Sequence, residues 1–136
     1  MRLTATALLL ALTLASGCRT VGVSRAAGGY AEIQPEIAHE MILDNRQIVV
    51  LDFRSADEYE ARHIAGAISA QLDSIENTLP LLLPYQNSTL IVYADDEDES
   101  KRGAALLVTA GFRNIVRMSG DLERWISRGF PTASSR

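Results

Sequence analysis

Five consecutive carboxylates, Asp95, Asp96, Glu97, Asp98 and Glu99, follow the apolar run of residues 90–94 and precede an amphipathic stretch that begins near Ser100. They stand where a strand passes into a helix, the position at which α/β proteins place their ligands. Chemistry there needs a nucleophile, an acid–base pair or a metal, and the available residue types limit the choice. The chain has one cysteine, Cys18, and two histidines, His39 and His63. A Ser-His-Asp arrangement could draw on Ser100 with either histidine, yet "DESKR" lacks the surroundings of a nucleophile elbow. Clustered carboxylates suit Ca²⁺, but "DDEDE" has neither the turn glycine nor the ligand spacing of a calcium loop. No His or Cys spacing fits zinc, so neither metal nor cofactor is expected. The simplest reading is helical: acidic residues in a first turn complement the macrodipole, with Asp98 or Glu99 capping a helix that starts near Ser100. A docking surface for a basic partner is the competing reading.

The elements that must position this turn alternate along the chain. "PEIAHEMILDN" places Pro35 where a first helical turn tolerates it, with Ile37, Met41 and Ile42 at helical spacing. "IVVLDF" is a continuous apolar, largely β-branched run, which predicts a buried strand. "SADEYEARH" predicts a short helix capped by Ser55, "AISA" a short strand, and "SIENTLPLLLPY" a helix disturbed at Pro80. "TLIVYA" predicts a second buried strand. The helix after it turns Ala104, Leu107 and Val108 inward and stops at Gly111. "NIVRM" predicts another strand, and "DLERWISRG" a last helix opened by Asp121 and closed near Gly129. Apolar strands alternating with helices predict one α/β domain, a parallel sheet covered by helices on both faces.

The N-terminus is a different material. "MRLTATALLLALTLASGC" has one positive charge, an apolar run too short to span a membrane, and small residues ending in Cys18, the pattern of a secretory signal over residues 1–17. Leu14, Ala15, Ser16, Gly17 and Cys18 resemble the lipobox of bacterial lipoproteins, in which the peptidase cuts before a diacylglyceryl cysteine. That resemblance accounts for a lone cysteine in an exported chain. With Arg19 rather than Asp next to Cys18, it implies an outer-membrane anchor facing the periplasm. Residues 18–29, small and glycine-rich, then form the lipidated N-terminus and tether, and residues 30–136 the folded domain. Without the signal the net charge is −5, from 12 basic and 17 acidic residues, which argues against nucleic acid as a partner.

"VVLDFRSADEYEARHIAGA" carries Asp52, Arg54, Glu58, His63 and Gly66 in a strand, Asp-x-Arg, acidic helix and His-Ile-x-Gly-Ala segment. "SKRGAALLVTAGFRNIVRMSGDLERW" ends in a Gly-x-x-x-x-Trp at Gly120 and Trp125. In this order the segments resemble a rhodanese domain across nearly all of residues 30–131, which implies a parallel sheet of about five strands. In active rhodaneses a cysteine follows the strand matching "LIVY", opens a loop of about six residues and carries sulfur as a persulfide. Ala94 stands at that position here, with Asp95, Asp96, Glu97, Asp98, Glu99 and Ser100 forming the loop. The resemblance thus implies a rhodanese that lacks its sulfur carrier, because a thiolate is both nucleophile and carrier and no second thiol exists.

For the other motif residues the expectation is structural. Asp52 and Arg54 hold the turn after their strand, and Glu58 pairs with Arg54 or Arg62. His63 is a hydrogen-bonding residue, Trp125 and Ile126 are core, and Asp121, in place of the family's second glycine, is a helix cap. The expected function is a membrane-anchored, catalytically inactive binding or scaffolding module in the bacterial cell envelope, its partner an envelope protein with a basic surface toward the acidic turn. The alternative is a thiosulfate sulfurtransferase-type enzyme using a thiol supplied by a partner.

Overall fold

The β-branched and leucine-rich runs pair as strands because each can bury both of its faces between two helical layers. The structure, a computed structural model, describes residues 24–45 and 47–135; the signal segment and Cys18 lie outside the described residues. The elements run β1 (Ser24–Arg25), β2 (Ala31–Ile33), α1 (Pro35–Asp44), β3 (Ile48–Asp52), α2 (Ala56–Ala61), β4 (His63–Ile64) and β5 (Ile68–Ser69). A 3-10 turn at Leu72–Ser74 leads into α3 (Ile75–Leu82), and another follows at Leu83–Tyr85. Then come β6 (Thr89–Tyr93), α4 (Glu97–Thr109), β7 (Asn114–Met118), α5 (Leu122–Ser127) and β8 (Thr132–Ala133).

The main sheet has the order β1-β2-β7-β6-β3-β5. Five of its strands are parallel, and β1 joins the β2 edge antiparallel. β4 and β8 form a separate antiparallel pair. Alternation along the strands sorts the core into two layers. Leu51, Leu90, Val92 and Ile115 face Leu107 and Ala104 of α4 and Ile75 and Leu82 of α3. Val50, Ile91, Tyr93 and Met118 face Ala38 of α1 and Leu122 and Trp125 of α5.

Three expectations change in detail. The ordered domain reaches back to Ser24, so residues 24–29 are an edge strand and a turn rather than free tether. α3, expected to be disturbed at Pro80, runs through it to Leu82 and passes into the 3-10 turn. The fifth parallel strand is β2, whose three residues, "AEI", are too short to show a period. Gly111, at φ +94°, ends α4 as expected.

The layer between α4 and the sheet has no spare room at Gly103. A β-carbon there would lie 2.3 Å from Cε2 of Phe53, itself 1% exposed. Gly103→Ala therefore overpacks the core and is expected to cost about 1–3 kcal/mol. Urea unfolding of the pair checks this; an unchanged midpoint would contradict it.

Candidate functional site

The site lies at the carboxyl ends of β3 and β6, where the sheet stops and its backbone groups need new partners. Asp52, the last residue of β3, is fully buried. Its carboxylate accepts from Arg54 N–H at 2.9 Å, from Arg54 Nε at 3.0 Å and from Arg54 Nη2 at 2.7 Å. The Tyr93 hydroxyl donates to it at 2.5 Å and itself accepts from Ile64 N–H at 3.1 Å. Arg54 Nη2 also donates to the Arg62 carbonyl at 2.6 Å. Burial alone would lower the Arg54 pKa; the bonds and charge of Asp52 more than reverse that and hold it above its ordinary value. Burial, followed by the Asp52 charge, pushes the Tyr93 phenol up. The Asp52 side chain, the guanidinium and the phenol thus satisfy one another.

The acidic run divides between a turn and a helix. Ala94 is 2% exposed at the end of the strand. Asp95 turns back, ion-paired with Arg54 Nη1 at 3.5 Å and accepting from Leu122 N–H at 3.4 Å. Asp96 is the N-cap of α4, accepting from Glu99 N–H at 2.9 Å. The helix therefore starts at Glu97 and its cap is Asp96, not Asp98 or Glu99. The earlier start follows from the acids themselves: three carboxylates in the first turn favour the helix there. Three residues, Ala94, Asp95 and Asp96, connect strand and helix, where the resemblance implied a loop of about six residues.

Ser100 is buried inside α4 and accepts from Arg117 Nη1 at 3.1 Å. Arg117, 1% exposed, also pairs with Glu32 at 3.1 Å and Glu97 at 3.3 Å. Lys101, then Arg117, hold the Glu97 carboxyl below its usual range, while burial raises that of Glu99. Neither histidine lies in contact with Ser100. His39 stacks on Phe130 at 4.1 Å between centroids, and His63 stacks on Tyr59 at 3.8 Å. His63 Nδ1 donates to the Tyr59 carbonyl at 2.6 Å.

Other motif residues are structural too. Glu58 makes no ion pair with Arg54 or Arg62; it closes a capping box with Ser55, accepting from its N–H at 3.0 Å and its hydroxyl at 2.6 Å. Gly66 and Gly120 take φ of +81° and +87°. Trp125 is buried and donates from Nε1 to the Pro131 carbonyl at 3.0 Å, with Ile126 partly buried against the same layer. Asp121 caps α5, accepting from Arg124 N–H at 2.9 Å.

Two clefts flank Asp95. One, of about 400 Å³, is lined by Arg54, Glu58, Arg62, Leu122 and Glu123; the other, of about 340 Å³, by Glu97, Gly120, Asp121 and Arg124. Asp95 lines both. Among the described residues no group of three or more His, Cys, Asp and Glu side chains is placed to hold a metal ion. The arrangement offers charged and polar side chains around two clefts. Sequence reasoning missed Tyr93, Arg117 and Glu32. An arginine inside the otherwise apolar "NIVRM" was the available signal, since a buried guanidinium needs partners.

Residues 34–128 match the family model described as Rhodanese-like domain. Centrosomal protein of 41 kDa from Xenopus tropicalis is 28% identical over 106 residues, covering 73% of this chain and 29% of that protein. The chain thus spans less than a third of the length of that relative. The Alr3790 protein from Anabaena superposes with a TM-score of 0.69 at 22% identity, over 74% of this chain and 90% of that one. A polysulfide-sulfur transferase homodimer from Wolinella succinogenes gives 0.64 at 20% identity, over 78% and 80%.

Tyr93→Phe would leave the Ile64 N–H without its acceptor and remove one of the bonds to Asp52, for an expected loss of about 1–3 kcal/mol. Equal denaturation midpoints for the two proteins would remove the phenol from this role. A pH effect follows from Glu58, whose carboxyl its Ser55 bonds hold below the ordinary 4.5. A depressed carboxyl stabilises the fold above its unfolded pKa and loses that contribution as pH falls through the folded value. Ser55→Ala should cost about 1 kcal/mol near neutrality, and the gap to the parent should narrow below pH 4.5. Thermal melts across that range measure it, and a gap of constant size would contradict the linkage.

Proposed function

This chain belongs to the rhodanese-like domain family, and from that premise we propose that it is a member that keeps the fold without the sulfur chemistry, serving as a binding or scaffolding module lipid-anchored in the bacterial cell envelope. The observation that carries the reading is Ala94: it directly follows β6, at the position where the family resemblance puts the persulfide-forming cysteine, and the chain's one thiol is Cys18. Alanine can neither attack a sulfur donor nor hold the transferred atom.

Electrostatics supports the same reading. Asp95, fixed beside Ala94 by Arg54 and the Leu122 N–H, takes up an arginine edge that would otherwise attract an anion. A unit charge roughly 8 Å from another costs about 0.5 kcal/mol in water and about 2 at an effective dielectric of 20 when the signs are alike. A thiosulfate dianion near Asp95, Asp96 and Glu97 meets that penalty more than once. The Cys18 lipobox supports attachment to the outer membrane, facing the periplasm, and two acyl chains suffice for stable anchoring. The exposed acids beside the clefts suit an envelope protein with a basic surface.

The test is thiosulfate:cyanide sulfurtransferase activity of the unacylated Cys18→Ser protein, beside Ala94→Cys and Ala94→Cys/Asp95→Ala in the same background. The parent should be silent, the restored thiol should give measurable turnover, and removal of Asp95 should raise it further. Turnover by the parent would overturn the reading.

A further inference from the structure

The edge strand fixes where any anchor must leave the domain. β1 runs antiparallel to β2, with Ser24 opposite Glu32, and Glu32 lies opposite Arg117 of β7. Arg117 in turn is level with Val92 of β6, two residues before Ala94, and its guanidinium reaches Glu97. Ser24 therefore sits at the carboxyl end of the sheet, two strand spacings, about 10 Å, from the Arg117 backbone. Because β1 descends from that end, the chain enters the domain from the side that carries the acidic turn and its flanking clefts. Six residue steps separate Cys18 from Ser24, which fully extended span about 20 Å.

Resting on the lipid anchor proposed above, we infer that the surface turned toward the bilayer is the carboxyl end of the sheet, with the acidic turn and both clefts held within a few tens of ångströms of the lipid, and that the amino ends of the strands point away. A tether this short cannot let the domain invert freely, because the attachment point lies at the same end of the sheet as the site. The exposed carboxylates Asp95, Asp96 and Asp98 on this end oppose close contact with anionic lipid, so the tether and the charge together define a thin gap. A protein segment reaching the clefts has to lie in that gap, the position of juxtamembrane segments of integral membrane proteins.

The experiment uses the acylated full chain in vesicles with an energy acceptor on the headgroups. Acylated Cys18 has no free thiol, so a donor goes to a single new cysteine, Asp98→Cys after β6 or Asn87→Cys before it, both at exposed positions. The label at 98 should show about twofold higher transfer efficiency than the label at 87, given the roughly 17 Å length of the strand between them. A flexible Gly/Ser insertion of about 15 residues between Thr20 and Val21 should erase the difference. Equal transfer from the two labels, higher transfer from 87, or a difference that survives the insertion would overturn the inference while leaving the anchor intact. Intact mass and vesicle flotation report the anchor separately: a chain without acyl groups that fails to float would overturn the anchoring proposal, and the inference with it.

Discussion

A fully buried carboxylate, Asp52, is the constraint on which this end of the molecule depends. Desolvating an ion costs several kcal/mol, and the cost is offset only when every lone pair finds a partner. Asp52 finds them in the Arg54 backbone and guanidinium and in the Tyr93 phenol. Those partners belong to different segments, so satisfying one carboxylate fixes the turn after β3, the end of β6 and, through the Ile64 N–H, the end of β4. Arg54 extends the set to the Arg62 carbonyl and to Asp95. The turn that follows Ala94 is therefore held from below by the ion pair that closes the neighbouring strand.

Arg117 plays the matching part on the α4 face. It is a buried cation held by Glu32, Glu97 and Ser100, and it gives the acid-rich start of α4 a fixed positive neighbour. Five successive carboxylates are tolerable because they are distributed: Asp95 to Arg54, Asp96 to the helix cap, Glu97 to Lys101 and Arg117. Asp98 and Glu99 add to the favourable charge of the first turn. A strand-to-helix junction so occupied has little left with which to cradle an anion.

Much of the fold was legible in the sequence because its central strands are apolar on both faces and several helix ends carry clear signals. Ser55, Asp121 and Gly111 each announced a boundary that the structure keeps. β2 and the β4–β8 pair were not legible, since two or three residues show no period and their pairing is decided by tertiary context. At the site, Asp52 and Arg54 could be read as a turn-holding pair once they were matched to the family's Asp-x-Arg segment. Tyr93 and Arg117 could not, because their partners lie 41 and 17 or more residues away in sequence. The start of α4 was misplaced for a related reason: with several adjacent acids, only the backbone geometry decides which one is the cap, and here it is Asp96.

The central proposal is that no residue of this chain accepts a transferred sulfane sulfur. Mass spectrometry of the intact Cys18→Ser protein after incubation with a sulfane-sulfur donor tests it most directly, since a persulfide is seen as a covalent adduct whether or not turnover is fast. The account predicts an unmodified mass, with an adduct appearing only when Ala94 is replaced by cysteine. A stoichiometric adduct on the Cys18→Ser protein itself would contradict it.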